Sequence, residues 1–388
     1  MFYEFSPRQP ARAPRLAGRS AIAAAACILA LTLSGCARGG ANAPASTGEI
    51  NSESGSASGH CASLNELSQL QADRAPSGPA TACLADSGIV PVSSSQTPQL
   101  PVTLTDQSGS RVTVTSIDRV LALDISGTLA STVVALGLGS QLVGRDTATT
   151  ISELAGLPNV TQSGHTIAAE PILALRPSLL ITDGSLGPNS VLEQLRASGV
   201  SVVLVDSKRS LDTVEAITQQ VAAALGVPER GAELSARLGH EIAQVRVQIG
   251  RLAGSTHPRV AFLYLRGSAS IYYLFGSGSG ADTLIDALDA EDVATEAGWS
   301  GMKPLNAEAL IATAPDVLLV MTKGLESIGG IDGLLRTIPA VAQTPAGKER
   351  RVIDMEDSEV LGFGPRTAEV LGALAQALYA PSTLDARG

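Results

Sequence analysis

A twelve-residue pattern occurs twice in this chain, and the repeat restricts the fold more than any other feature. Glu170-Pro171-Ile172-Leu173-Ala174-Leu175-Arg176-Pro177-Ser178-Leu179-Leu180-Ile181 lines up with Glu308-Ala309-Leu310-Ile311-Ala312-Thr313-Ala314-Pro315-Asp316-Val317-Leu318-Leu319. Each copy reads as a glutamate, a short apolar helix, a proline and a buried strand. Between the copies, Leu234, Leu238, Ile242, Val245, Ile249 and Leu252 recur at steps of four, four, three, four and three. That spacing lines one face of a single helix over 228–253, with Pro228 suited to its first turn. At 1.5 Å per residue the helix measures roughly 35–40 Å, about the width of a domain. Continuous aliphatic strands flank it: 120–123, 179–182 and 202–205 before, 260–265, 271–274, 317–320 and 351–353 after. Helices alternate with these strands, which predicts parallel sheets covered on both faces. The expected fold class is α/β: two α/β lobes with central, mainly parallel sheets, joined by one long connecting helix, with a cleft between them.

The 388 residues, 44% hydrophobic and 16% charged, supply enough aliphatic surface for two such lobes. They exclude a coiled coil, a collagen and a wholly disordered chain. A net charge of −10 argues against a nucleic-acid partner. At the N-terminus, Arg8, Arg12, Arg15 and Arg19 precede an uncharged stretch from Ser20 to Gly35 that is too short to span a bilayer. This is the layout of a secretory signal. Leu33-Ser34-Gly35-Cys36 resembles the lipobox of bacterial lipoproteins, which implies cleavage before Cys36, a diacylglycerol on its thiol, and a location on the outer face of the cytoplasmic membrane. Loss of residues 1–35 removes four arginines and one glutamate and leaves a net charge of −13. Cys61 and Cys83 then remain as two thiols in an oxidising compartment, which predicts a disulfide stapling a small segment outside the main domains. Residues 37–60 hold one large aliphatic, Ile50, and no aromatic, so they cannot offset their ordering entropy. The expected organisation is a signal at 1–35, a lipid-anchored tether over 36–100, an N-terminal lobe over 101–227, the connecting helix over 228–256 and a C-terminal lobe over 257–388.

Two stretches carry a specific likeness. Val120-Leu121-Ala122-Leu123-Asp124-Ile125-Ser126-Gly127-Thr128-Leu129-Ala130 resembles the opening of the actinobacterial haem-uptake lipoproteins, and so does Tyr264-Leu265-Arg266-Gly267-Ser268-Ala269-Ser270-Ile271-Tyr272-Tyr273-Leu274-Phe275-Gly276. These belong to the substrate-binding proteins of ABC importers that have a rigid connecting helix (class III) and serve vitamin B12, siderophores and haem. The resemblance covers roughly residues 100–380 and implies haem as the carried ligand. It also implies an ABC permease with a cytoplasmic ATPase as the receiver, and haem-binding surface proteins as upstream donors. A siderophore or corrinoid carrier of the same class is the alternative. An enzyme is not favoured, because the sequence shows no Ser-His-Asp arrangement, no paired acid/base carboxylates and no nucleophilic cysteine.

The resemblance also assigns residues. His165 lies in the polar loop Gln162-Ser163-Gly164-His165-Thr166, where a solvated loop histidine is an ordinary finding; the resemblance maps it onto the axial haem-ligand position of the first lobe. Tyr264 and Arg266 lie two apart on a strand and so share a face. A guanidinium near a phenol oxygen favours phenolate, a hard anion suited to ferric haem. The resemblance places a ligating tyrosine and its arginine partner at these two positions, and Met321 beside the haem. Tyr272 and Tyr273 point to opposite faces, so at most one faces the ligand; Tyr272 is taken as the contact. Met302 stands where haem-binding relatives often have tyrosine. Arg145, Lys303 and Arg366 are candidate partners for the propionates. Glu170 and Glu308, equivalent in the repeat, are expected to dock on arginines of the permease, a charge pairing that steers association.

Overall fold

The computed structural model describes residues 61–85, 88–162 and 164–385. Cys36, the signal and residues 37–60 lie outside that set. Among the described residues no helix is long and apolar enough to cross a membrane.

The first lobe holds a parallel sheet in the order Val120–Leu123, Leu179–Thr182, Ser201–Leu204. Every residue of the first two strands is buried, as both-face coverage by helices requires. The second lobe repeats this unit as Arg259–Arg266, Val317–Met321 and Val352–Met355, again parallel. It extends the sheet on one side with the antiparallel strands Ile271–Phe275 and Met302–Pro304.

The sequence repeat is reproduced down to single hydrogen bonds. Ile172 and Leu310 hold equivalent places on the helices Ala169–Ala174 and Ala307–Thr313, and both are fully buried. Arg176 and Ala314 both turn the chain with positive φ, 46° and 45°. Ser178 N donates to Arg119 O at 2.8 Å, and Asp316 N donates to Arg259 O at 2.8 Å. Arg119 Nε in turn donates to Leu175 O (2.8 Å), and Arg259 Nη2 to Thr313 O (3.2 Å). Each lobe thus ties its helix-to-strand turn to the arginine that precedes its first strand core.

The connecting helix runs Pro228–Ala253, 26 residues. Its apolar stripe buries Leu234, Leu238, Val245, Ile249 and Leu252, packing on the Val214–Ala224 helix of the first lobe and the Thr367–Tyr379 helix of the second.

The expectation of a tether reaching residue 100 is corrected. From Cys61 onward the chain is built into both lobes. Ala80–Ala82 adds a parallel edge strand to the second-lobe sheet beside Val352–Met355. Thr81 Oγ1 donates to Asp354 (2.9 Å), and buried Arg351 donates to Gly78 O (3.1 Å). Cys61 and Cys83 form the expected disulfide, Cα atoms 5.4 Å apart, but it closes a segment packed on the second lobe and not one outside the domains. Farther on, Ile89 N donates to Glu153 of the first lobe (3.1 Å), Val92 N to Ala135 O (2.8 Å) and Gln99 N to Gly226 O (2.9 Å). Gln96 Oε1 accepts from Glu229 N (3.0 Å), capping the connecting helix. The physical reason is that these polar and small residues satisfy exposed edges and helix ends rather than filling a core, so hydrophobic patterning did not reveal them.

Candidate functional site

In open α/β sheets ligands bind beyond the carboxyl ends of the strands, the ends that here carry or precede Asp124, Asp183, Arg266 and Met321. Among the described residues three hydrogen bonds join the lobes: Thr128 Oγ1 to Gly362 O (2.5 Å), Thr150 Oγ1 with Ser358 Oγ (3.3 Å), and Leu211 N to Thr283 Oγ1 (3.3 Å). The first two border a cavity that Ser126, Ile151, Phe363 and Arg366 also line.

On the first-lobe side, His165 sits at the tip of a hairpin, Thr161–Gln162 with Thr166–Ile167. Gly164, with φ 86°, supplies the left-handed turn that an L side chain would resist. Buried Ile167 anchors the hairpin, and His165 O accepts from Gly187 N at 3.2 Å. The imidazole is held below the usual histidine pKa, first by desolvation, then by the Arg266 guanidinium, against an opposing pull from the Asp357 carboxylate. Arg266 and Asp357 both belong to the second lobe, so the histidine lies within electrostatic reach of that lobe.

On the second-lobe side, Tyr264 and Arg266 share a face of the Arg259–Arg266 strand, as expected. Tyr264 is half-buried, and its ring stacks on Phe275, centroids 6.0 Å apart and 20° between planes. Among the described residues its hydroxyl has no hydrogen-bond partner, and the exposed Arg266 guanidinium has neither hydrogen bond nor ion pair. Met321 ends the adjacent strand, half-buried against the same apolar cluster as Tyr264.

Tyr272 is placed elsewhere. Hairpin register pairs Tyr273 with Tyr264 and Tyr272 with Leu265, so Tyr273 shares the face of Tyr264 while Tyr272 packs into the cluster behind the sheet. Of the two tyrosines it is Tyr273, and not the expected Tyr272, that shares the face of Tyr264. Of the three propionate candidates, Arg366 is engaged by Glu369 (3.0 Å), Glu359 (3.3 Å) and Ala85 O (3.1 Å). Arg145 turns back on its own loop, to Asp146 O at 3.2 Å. Lys303 and Met302 lie exposed on the edge strand. Glu170 and Glu308 are both exposed in the first turns of the equivalent helices.

Sequence reasoning missed two sets of residues. One is Asp357, at the start of a short helix, whose Oδ1 accepts from Lys323 N at 2.9 Å. The other is a buried charge cluster at the first-lobe strand ends. Arg209 pairs with Asp183 (2.6 Å) and Asp124 (3.5 Å), while Asp146 accepts from Asp124 N (3.1 Å). Burial pushes Asp124 up to about 7 against the pull of Arg209, with Asp146 and Asp183 adding to the rise. A signal was present: Asp124 and Asp183 each follow directly on a wholly buried, mainly aliphatic strand. Among the described residues no group of three His, Cys, Asp or Glu side chains is arranged to hold a bare metal ion.

This architecture, two α/β lobes on a rigid helix with an interlobe site, is that of a solute receptor. Residues 125–359 match the periplasmic binding protein family, and the chain belongs to it. Among solved structures it is similar to the heme binding protein HmuT, with 38% identity and a TM-score of 0.73 over 79% of this chain and 98% of that one. Structures of HmuT with one arginine, one histidine or one tyrosine replaced by alanine match at 37–38% identity and TM-scores of 0.74–0.76. The periplasmic heme-binding protein RhuT from Roseiflexus sp. RS-1 is 41% identical, with a TM-score of 0.63 over 68% of this chain and 99% of that one. An uncharacterized ABC transporter substrate-binding lipoprotein of Bacillus subtilis (strain 168), YvrC, is 24% identical over 73% of this chain and 87% of its own.

Proposed function

We propose that this protein is an extracytoplasmic lipoprotein, anchored through Cys36, that binds haem between its lobes and delivers it to an ABC importer for iron acquisition. His165 and Tyr264 are the axial ligands in this reading, and Arg266 partners the phenol. The observation that carries it is that two second-lobe charges, Arg266 and Asp357, act on the first-lobe His165, which sets that imidazole within electrostatic reach of the strand end that bears Tyr264. The spacing in HmuT adds support: the histidine, tyrosine and arginine replaced in its variants are separated as His165, Tyr264 and Arg266 are here, by 99 residues and then by two.

The chemistry follows from the donor set. A neutral imidazole and an anionic phenol oxygen are both established ligands of ferric haem. Arg266 brings positive charge, uncompensated among the described residues, to the end of the strand where the phenol lies. Ligands from separate lobes make retention depend on closure, so opening the gap breaks one bond to the iron. With both axial positions filled, no open site is left for peroxide, which suits a carrier and not a catalyst. Met321 flanks the iron-binding phenol, and Glu170 and Glu308 form the docking pair for the permease.

Titration with haemin tests the ligand assignment. The wild-type protein should give a Soret band that saturates at one haem per chain. His165→Ala and Tyr264→Ala should each shift the spectrum and weaken binding at least about tenfold, the effect of losing roughly 1.4 kcal/mol or more. Unchanged spectra and affinity in both variants would remove the axial assignment. Saturable uptake of a ferric siderophore or a corrinoid with no uptake of haemin would replace the cargo.

A further inference from the structure

Tyr264 does not stand alone on its face of the sheet. Three neighbouring strands each place one half-buried side chain at the same level: Tyr273, Tyr264 and Met321. Tyr273 pairs with Tyr264 directly, and the pairing of Leu319 with Phe262 carries Met321 level with Tyr264 two residues on. At a strand spacing of about 4.8 Å, three such positions make a row about 10 Å across. All three pack against one apolar cluster. Under the row lie Phe275 and Phe262, 5% and 0% exposed, their rings stacked at 5.0 Å. Phe275 also stacks on Tyr264, and the Tyr273 ring sits 6.5 Å from Tyr264 at a tilt of 49°. Among the described residues the Tyr273 hydroxyl, like that of Tyr264, has no hydrogen-bond partner.

A ring stack that runs from core to gap fixes the outermost ring, because aromatic side chains have few rotamers and Phe275 blocks the tilt of Tyr264 from below. A flat macrocycle held at the Tyr264 oxygen extends sideways over the neighbouring strands, so the next ring in the row is presented to it. Resting on the haem assignment above, we propose that Tyr273 is a specificity-determining contact that packs against the macrocycle beside Tyr264, and that Phe275 is a positioning residue for the Tyr264 phenol.

Transfer of haem from the loaded protein to excess apomyoglobin reads the first role, and the phenolate-to-iron charge-transfer band reads the second. Tyr273→Leu should speed transfer about 3- to 10-fold, the scale of one aromatic contact, with the band unmoved. Tyr273→Phe should stay within about twofold of wild type, because the ring remains. Phe275→Leu should shift or broaden the band, whereas Phe275→Tyr, which keeps the stacked ring, should restore it. Tyr272→Leu, on the opposite face, serves as the control and should transfer at the wild-type rate. Transfer by Tyr273→Leu at the wild-type rate, or equal acceleration by Tyr272→Leu, overturns the contact. An unmoved band in Phe275→Leu overturns the positioning role. A wild-type protein that takes up no haemin fails the haem assignment instead, so the two failures are told apart.

Discussion

At the scale of single residues, the balance of charge around His165 decides how the site responds to pH. A histidine ligates only when neutral, and this one is held below its ordinary pKa, so its neutral form persists as pH falls through the usual histidine range near ~6.5. Asp357 works against that by favouring the imidazolium. Asp357→Asn removes the opposing charge and still leaves an oxygen to accept from Lys323 N. The acid limb of haemin binding should therefore move to lower pH, while affinity at pH 8, where the imidazole is neutral in either protein, stays the same. A titration of affinity between pH 5 and 8 checks this, and a limb that moves upward or not at all contradicts it. Asp357 was illegible in the sequence because it meets His165 only through the relative placement of two lobes 192 positions apart. The choice between Tyr272 and Tyr273 was illegible for a smaller reason. Period two says that they part, but the hairpin register, set by the turn after Arg266, says which one joins Tyr264.

At the scale of elements, the segment from Cys61 to Leu100 behaves as structure where its composition suggested a tether. Its strand is Ala80-Thr81-Ala82, with Thr81 as its one β-branched residue and no large apolar or aromatic side chain to announce it; pairing with Val352–Met355 makes it a strand more than intrinsic preference does. The longer elements had the opposite property. The six-position stripe of the connecting helix and the mainly aliphatic strands 120–123 and 179–182 bury large apolar surfaces, and periodicity records that burial directly. The disulfide holds the weak strand in place. It spans 22 residues, and closing a loop of that length stabilises by about 3 kcal/mol through the unfolded state. Replacing both cysteines by serine should lower the unfolding free energy by about that amount in urea, with amide exchange rising first at residues 80–82. An unchanged urea midpoint would show that the strand is secured by its ladder, Thr81–Asp354 and Arg351–Gly78 alone.

At the scale of the whole molecule, the internal repeat gives the protein two matching ends and one unmatched centre. The helices that carry Glu170 and Glu308 are equivalent in sequence, in burial of Ile172 and Leu310, and in the arginine ties beneath them. The strand ends that meet in the gap have diverged. By the sheet registers Asp124 and Asp183 of the first lobe stand where the second carries Tyr264 and Met321, so a buried ionic cluster in one lobe corresponds to half-buried, uncharged side chains in the other. Symmetry kept at the helices and lost at the gap fits a receptor whose outer contacts address a two-fold transporter while its centre grips one asymmetric cargo. If the two glutamates act in delivery, as proposed above, they take no part in binding. Glu170→Ala with Glu308→Ala should leave haemin affinity and the Soret spectrum within about twofold of wild type, since each side chain is exposed and first-turn helix charges contribute less than about 1 kcal/mol. The same pair should slow haem uptake by vesicles carrying the importer by at least about tenfold, most strongly at low ionic strength, where charge pairing steers encounter. Each single replacement should fall between, because one intact end still orients the docking. Uptake at the wild-type rate in the double variant would assign docking to other surfaces of the two lobes.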